Sequence, residues 1–220
     1  MRSIDGPRLA PRAGGAPKKL VIFVHGYGAN GQDLINLGAQ WAPEMPEAQF
    51  IAPDAPDPVP GAPGGFQWFP ISNLDPQRIE QGAREARPVL DAFIDQELTR
   101  YRLTEKDLLL VGFSQGTMLS LEVALRRERP VAGVLGYSGA LPGGARLKQE
   151  MVSKPPVFLI HGDQDQVLPI GFMFDALVNL AEAGHGAQWH VSRGVPHGIG
   201  PDGLELGARF VKSALAGRYI

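Results

Sequence analysis

The stretch "LLLVGFSQGTML", residues 108–119, changes character halfway along. A run of strand-forming residues breaks into Gly112-Phe113-Ser114-Gln115-Gly116 and then resumes with a helical pattern. A glycine two positions to either side of a serine marks a turn too tight for ordinary side chains. Glycine lacks a Cβ and tolerates close backbone approach. At the tip of such a turn the Ser114 hydroxyl is held clear of the sheet, available to attack an electrophile. The rest of the chain decides whether partners for that chemistry exist.

Working outward, the same strand-then-helix alternation recurs. "KLVIFVHG", residues 19–26, is a continuous apolar run ended by glycine, as in a strand buried on both faces. A helix is expected over 30–41, stopped by Pro43, then a short strand in "AQFIAP". Residues 53–76 are too rich in proline and glycine for regular structure. A loop this long in a compact domain is usually functional or mobile. A helix over 77–101 places Val89, Phe93, Ile94 and Leu98 near one face, and Pro88 is a potential kink. After the strand ending at Phe113 come a helix over 114–127 and strands in "VAGVLGYSG" and "PPVFLIHGD". A helix over 171–183, a strand in "AQWHVSRG" and a closing helix over 201–215 complete the chain. The alternation predicts one α/β domain over 1–220, with a mainly parallel sheet and helices on both faces. Residues 1–17 are expected to be flexible or a short edge strand.

Ligands of such sheets bind beyond the carboxyl ends of the strands. The segments expected there are "HGYG", "GFSQG", "YSG", "HGDQD" and "GVPHG". They hold a serine, an aspartate and a histidine in that chain order. A serine hydroxyl needs a base to take its proton, and the base needs an acid to fix its tautomer. Serine, acid, histidine is the order used by α/β-hydrolases. From position alone the acid is Asp163 or Asp165. His25 and His161 precede both acids and read as structural histidines bonding loop backbone. His185 lies at a helix end, where a partly charged imidazole suits the dipole. His190 sits within a strand. His197 alone follows the last strand in a loop, between Pro196 and Gly198, and is the expected base.

Taken together, "HGYGANGQDL" (25–34), "APDAP" (52–56), "QWF" (67–69), "VGFSQG" (111–116), "YSGAL" (137–141), "HGDQDQVLP" (161–169) and "PHGI" (196–199) resemble the carboxylesterase/phospholipase family of α/β-hydrolases, which includes acyl-protein thioesterases. The resemblance runs from about residue 18 to the end. It implies the α/β-hydrolase fold without a cap domain, and Asp165, just before "QVLP", as the acid. The first oxyanion donor is expected from the N–H of Gln115, the residue after the nucleophile. The resemblance puts the second at Tyr27. It also implies that the segment holding Trp68 and Phe69 lines the site. With Leu74, Leu141 and Phe172 these aromatics form the expected acyl-binding surface, and Trp68 is expected to touch the acyl chain.

The implied activity is a serine carboxylesterase, with a thioesterase or lysophospholipase using the same triad as the alternative. A non-catalytic binding protein on the same fold is the more distant rival. Every group the chemistry needs is a side chain or backbone amide, so no cofactor is required. No two histidines stand four apart on a helix with an acid, so no metal site is expected. The chain has no cysteine, which removes disulfides and thiolate chemistry. A net charge of −2 argues against nucleic acid or an anionic membrane as partner. The cluster Arg126, Arg127 and Arg129 reads as cations at the negative end of a helix. The first residues show no apolar leader, and no apolar run approaches the roughly 18–20 residues of a membrane span. These features predict a cytoplasmic enzyme acting on a small ester or acyl substrate. The resemblance adds pairing into homodimers.

Overall fold

Leu108–Phe113 (β6) forms the middle of a seven-stranded sheet because both its faces are apolar. In the computed structural model, which describes residues 3–71 and 74–219, Leu108 and Leu110 point into one core and Leu109 and Val111 into another. The neighbouring strand Lys19–Val24 (β2) divides its residues the same way, with Leu20, Ile22 and Val24 on the first side and Val21 and Phe23 on the second. Period-two alternation between two apolar environments is what a continuous hydrophobic run becomes when helices cover both sides.

The remaining strands of this sheet are Arg8–Leu9 (β1), Ala48–Ile51 (β3), Gly133–Tyr137 (β7), Val157–Gly162 (β8) and Gln188–Ser192 (β9). Their order is β1-β3-β2-β6-β7-β8-β9, parallel throughout except for β1. Helices Gly31–Trp41 (α1) and Pro201–Leu215 (α6) cover one face. Pro76–Tyr101 (α2), Gln115–Ala124 (α3), Leu147–Glu150 (α4) and Gly171–Glu182 (α5) lie against the other. No helix is long and apolar enough to cross a membrane among the described residues.

Asn30 is the N-cap of α1, in a reciprocal capping box with Asp33. Such a cap contributes about 1 kcal/mol. α2 continues through Pro88. α3 is shorter than the pattern predicts, starting one residue after Ser114 and ending at Ala124. The proline-rich segment, expected to lack regular structure, holds a two-stranded ribbon of Asp57–Pro58 (β4) and Phe66–Gln67 (β5). The N-terminal segment forms an edge strand. Arg8 pairs at 2.9 Å with Glu97, whose side chain is fully buried on α2, and Leu9 accepts a bond from the Gln49 amide at 2.8 Å.

The arginine cluster meets carboxylates rather than a bare helix end. Arg126 pairs with Glu122 and Glu150 at 2.7 Å each, Arg127 with Asp91 and Asp95, and Arg129 with Glu105 at 3.0 Å. These bonds join α2, α3 and α4 on the side away from the strands' carboxyl ends.

The chain runs from β2 outward to β3, then returns to place β6 on the other side of β2. Strand order therefore reverses between β2 and β6. A crevice opens at such a point beyond the carboxyl ends, and ligands bind there.

Candidate active site

β2 and β6 end side by side at the reversal, with Val24 in register with Gly112. Ser114 follows β6 directly, and "HGYG" follows β2. Ser114 has φ +54° and ψ −115°, a conformation side-chain-bearing residues rarely adopt. Such a residue stores about 1–3 kcal/mol of strain and persists only where its surroundings hold it. The flanking glycines are the means. A Cβ on Gly112 would lie 2.4 Å from the Thr117 backbone, and one on Gly116 would lie 1.8 Å from the Val24 carbonyl. The serine is thus lifted out of the strand and off the helix.

Asp165 and His197 come from the loops after β8 and β9. Asp165 Oδ2 lies 2.7 Å from His197 Nδ1, and Oδ1 accepts the N–H groups of Val167 and Leu168 at 2.9 and 2.8 Å. The carboxylate is fully buried and the imidazole 18% exposed. This arrangement places the proton on Nδ1 and leaves the Nε2 lone pair for a donor. The His197 ring rests against Phe113, the residue before Ser114, with centroids 5.0 Å apart. A serine hydroxyl, an imidazole with a free Nε2 and a buried carboxylate can together deprotonate an alcohol and return the proton to a leaving group.

Asp163 does a different job. Its Oδ1 accepts the Gly194 N–H at 2.6 Å, tying its own loop to the one that carries His197. Ser138 was missed altogether. It follows β7 with φ +46°, is fully buried, and donates through Oγ to the Gly198 carbonyl at 3.3 Å, beside His197. Its only trace in the sequence is a small polar residue between a strand and a glycine.

Among the described residues, no backbone acceptor takes the N–H of Tyr27 or of Gln115. As the first residue of α3, Gln115 has no intrahelical partner for its N–H. Tyr27 is 44% exposed. A Cβ on Gly26 would sit 3.3 Å from that of Ser114, so glycine lets the β2 loop close on the serine.

The expected acyl surface needs correction. Trp68 and Phe69 are each only 2% exposed and belong to the hydrophobic core. The Phe69 ring fills a notch on α2 where Gly82 has no side chain. Burying two large rings is what holds a proline- and glycine-rich segment in place, so they anchor the segment rather than face a ligand. Leu141 and Phe172 are half-buried against the same core, and Leu74 is exposed. Among the described residues, no group of three or more histidine, aspartate or glutamate side chains is arranged to hold a metal ion.

The other histidines separate by environment. His161 is buried, its Nε2 2.8 Å from the Leu168 carbonyl and 3.2 Å from Asp165 Oδ2, so it braces the loop of the acid. His190 pairs with Asp202 at 2.7 Å. That bond holds the Asp202 carboxyl below its ordinary value. His185 is buried, and burial pushes it below the usual value of 6.5, which favours the neutral ring where a partly charged one was expected. His25 is lowered by the same cause. A histidine that resists protonation only when folded lends its full stability above its unfolded value. That stability is lost as pH falls below about 6.5 toward the lower folded value. The melting temperature should therefore drop between pH 7 and 5, and His185→Gln should reduce the drop. Equal pH dependence of variant and wild type in calorimetry would remove His185 from this account.

A strained serine after the central strand, with a histidine–carboxylate pair on the loops after β8 and β9, defines a serine hydrolase of the α/β-hydrolase fold. The phospholipase/carboxylesterase family model matches residues 11–215, and the chain belongs to that family. Acyl-protein thioesterase 1 of Saccharomyces cerevisiae is 28% identical, over 97% of this chain and all of its own. Esterase YpfH of Escherichia coli is 25% identical, over 92% of this chain and 86% of its own. Among solved structures, esterase PE8 is 40% identical over 96% of this chain and 99% of its own, with a TM-score of 0.92. Arabidopsis thaliana SOBER1 is 25% identical over 90% of this chain and 99% of its own, with a TM-score of 0.79.

Proposed function

We propose that the protein is a carboxylesterase that cleaves carboxylic esters through an acyl-enzyme on Ser114. The observation that carries this reading is the 2.7 Å bond between His197 Nδ1 and the buried Asp165 carboxylate, with the His197 ring against Phe113, the residue before the strained serine. His197 Nε2 takes the hydroxyl proton as Ser114 Oγ attacks the acyl carbon. The imidazolium is stabilised by Asp165 and gives that proton to the departing alcohol. Water, deprotonated by the same Nε2, then attacks the acyl-enzyme, and that proton passes to Ser114 Oγ as its bond to the acyl carbon breaks and the acid is released. The N–H groups of Tyr27 and Gln115 take the negative charge that develops on the carbonyl oxygen. Losing one such donor typically costs about 10²–10³ in rate. Leu74, Leu141 and Phe172, at the carboxyl-end rim, receive the acyl group. No cofactor enters any step.

The names of the thioesterase relatives favour a second reading, cleavage of acyl thioesters by the same groups. Lysophospholipid hydrolysis is the third. A fluorophosphonate probe that labels wild type but not Ser114→Ala supports the mechanism, and an unlabelled wild type overturns it. Rates on p-nitrophenyl esters of increasing chain length, beside an acyl thioester and a lysophospholipid, then rank the three substrates.

A second copy of the chain is the proposed protein partner. β9 is an edge strand without lysine, proline or acid to guard it. The Ser192 carbonyl accepts from Asp163, which turns Ser192 toward β8 and leaves the polar backbone of Trp189 and Val191 facing outward. Antiparallel self-pairing about His190 sets Trp189 of each copy opposite Val191 of the other. Trp189 is 55% exposed with its ring against Phe174 of α5, itself exposed, so the pairing covers an apolar patch. Sedimentation at micromolar concentration should show a wild-type dimer and a monomeric, still active Trp189→Lys. A monomeric wild type, or a dimeric variant, would overturn this interface.

A further inference from the structure

Two N–H groups form the proposed oxyanion hole, and they lie on separate pieces of chain. Tyr27 follows β2, while Gln115 opens α3. The gap between them must match one oxygen atom. Something has to hold the two pieces in register, and the hydrogen bonds show what does.

The Gln115 side chain is fully buried and does not face the crevice. Its Oε1 accepts the Trp68 N–H at 2.9 Å, and its Nε2 donates to the Phe69 carbonyl at 2.7 Å. An amide flip would break both bonds, so the orientation is determined. The Trp68 indole then reaches to the other piece. Its Nε1–H donates to the His25 carbonyl at 2.9 Å, and the two rings lie 5.4 Å apart.

His25 completes the link. Its Nε2 accepts the Ala55 N–H at 2.9 Å, so that nitrogen is unprotonated and the proton is on Nδ1. Nδ1–H donates to the Gly26 carbonyl at 2.8 Å. Burial keeps this imidazole neutral, as the tautomer requires. The Gly26 carbonyl and the Tyr27 N–H belong to one planar trans peptide and point in opposite directions. Holding the carbonyl toward His25 therefore aims the Tyr27 N–H away from it.

We infer that Trp68 is a positioning residue for the oxyanion hole. It joins the Tyr27 donor to the Gln115 donor through a continuous hydrogen-bonded frame and touches no substrate. The inference rests on the assignment of Ser114 as nucleophile. It explains why a tryptophan, with its one polar side-chain atom on a strand-end carbonyl, is buried in a segment rich in proline and glycine. Phenylalanine fills much of the same space but leaves the His25 carbonyl buried without its donor, and such a group is costly to leave unpaired.

The test is Trp68→Phe, assayed on acetate and long-chain p-nitrophenyl esters and titrated with a boronic acid that forms a tetrahedral adduct on serine. The expected result is a fall in kcat of about 10-fold, a fraction of what losing a whole donor costs. KM stays unchanged and the factor is the same for every chain length. Boronate affinity should fall in parallel with kcat. Gln115→Met breaks the frame at its other end and keeps its own backbone N–H. Its effect should combine with that of Trp68→Phe less than additively. It carries the same test should Trp68→Phe fail to accumulate. An unchanged kcat and boronate affinity, or a loss confined to long-chain substrates, overturns the inference. Wild type that resists a fluorophosphonate overturns the assignment of Ser114 instead, so the two failures are distinguishable.

Discussion

Ser114→Ala is expected to lose ester hydrolysis down to the residual rate that binding and an oxyanion hole supply, with the fold intact. In a serine protease, removing a member of the triad leaves about 10³–10⁴-fold catalysis over water. The strain at this position gives a second readout. Alanine retains a Cβ at φ +54°, so it inherits the serine's backbone penalty. Glycine does not. Ser114→Gly should therefore be as inactive as Ser114→Ala yet melt at a higher temperature, by an amount corresponding to about 1 kcal/mol after the extra flexibility of its unfolded chain is subtracted. Near-wild-type turnover by a folded Ser114→Ala protein would remove Ser114 from the mechanism. Equal melting temperatures for the two variants would show that the turn is unstrained.

Asp165→Asn should cost about 10⁴ in turnover, the effect of the same replacement in a serine protease. The cause can be traced atom by atom. Oδ1 is committed to the N–H groups of Val167 and Leu168, so the asparagine keeps its oxygen there. Its NH₂ then faces His197 Nδ1, where two donors cannot bond. The ring must move its proton to Nε2, the nitrogen that has to accept from Ser114. Asp163→Asn should cost only a few-fold, because its remaining oxygen can still accept the Gly194 N–H. Measuring both variants together decides the acid. The opposite ranking would transfer the role to Asp163, despite its bond to the neighbouring loop.

Much of this arrangement is legible in the order of the residues. A strand buried on both faces is spelled by residues adjacent in the chain, so "KLVIFV" and "LLLVGF" identify themselves. So does the turn at Ser114, because steric exclusion by Gly112 and Gly116 acts within a few residues. The order of serine, acid and histidine after β6, β8 and β9 points to the proposed reactive groups because a parallel sheet delivers all those ends to one edge.

Orientation is another matter. An aromatic pair between prolines and glycines reads alike whether it faces a ligand or the core. Trp68 turns inward because it bonds Gln115, 47 residues away, and His25, 43 residues away. The charge state of His185 depends on burial, which the local sequence does not encode. The arginines after α3 find their carboxylates on α2 and α4 only once those helices pack side by side. Chain-local sterics and hydrophobic periodicity thus determined the elements, their order and the reactive residue types. Which way each side chain faced, and which groups hold Asp165, His197 and the two proposed oxyanion amides in place, depended on contacts between segments far apart in the chain, where no periodicity reaches.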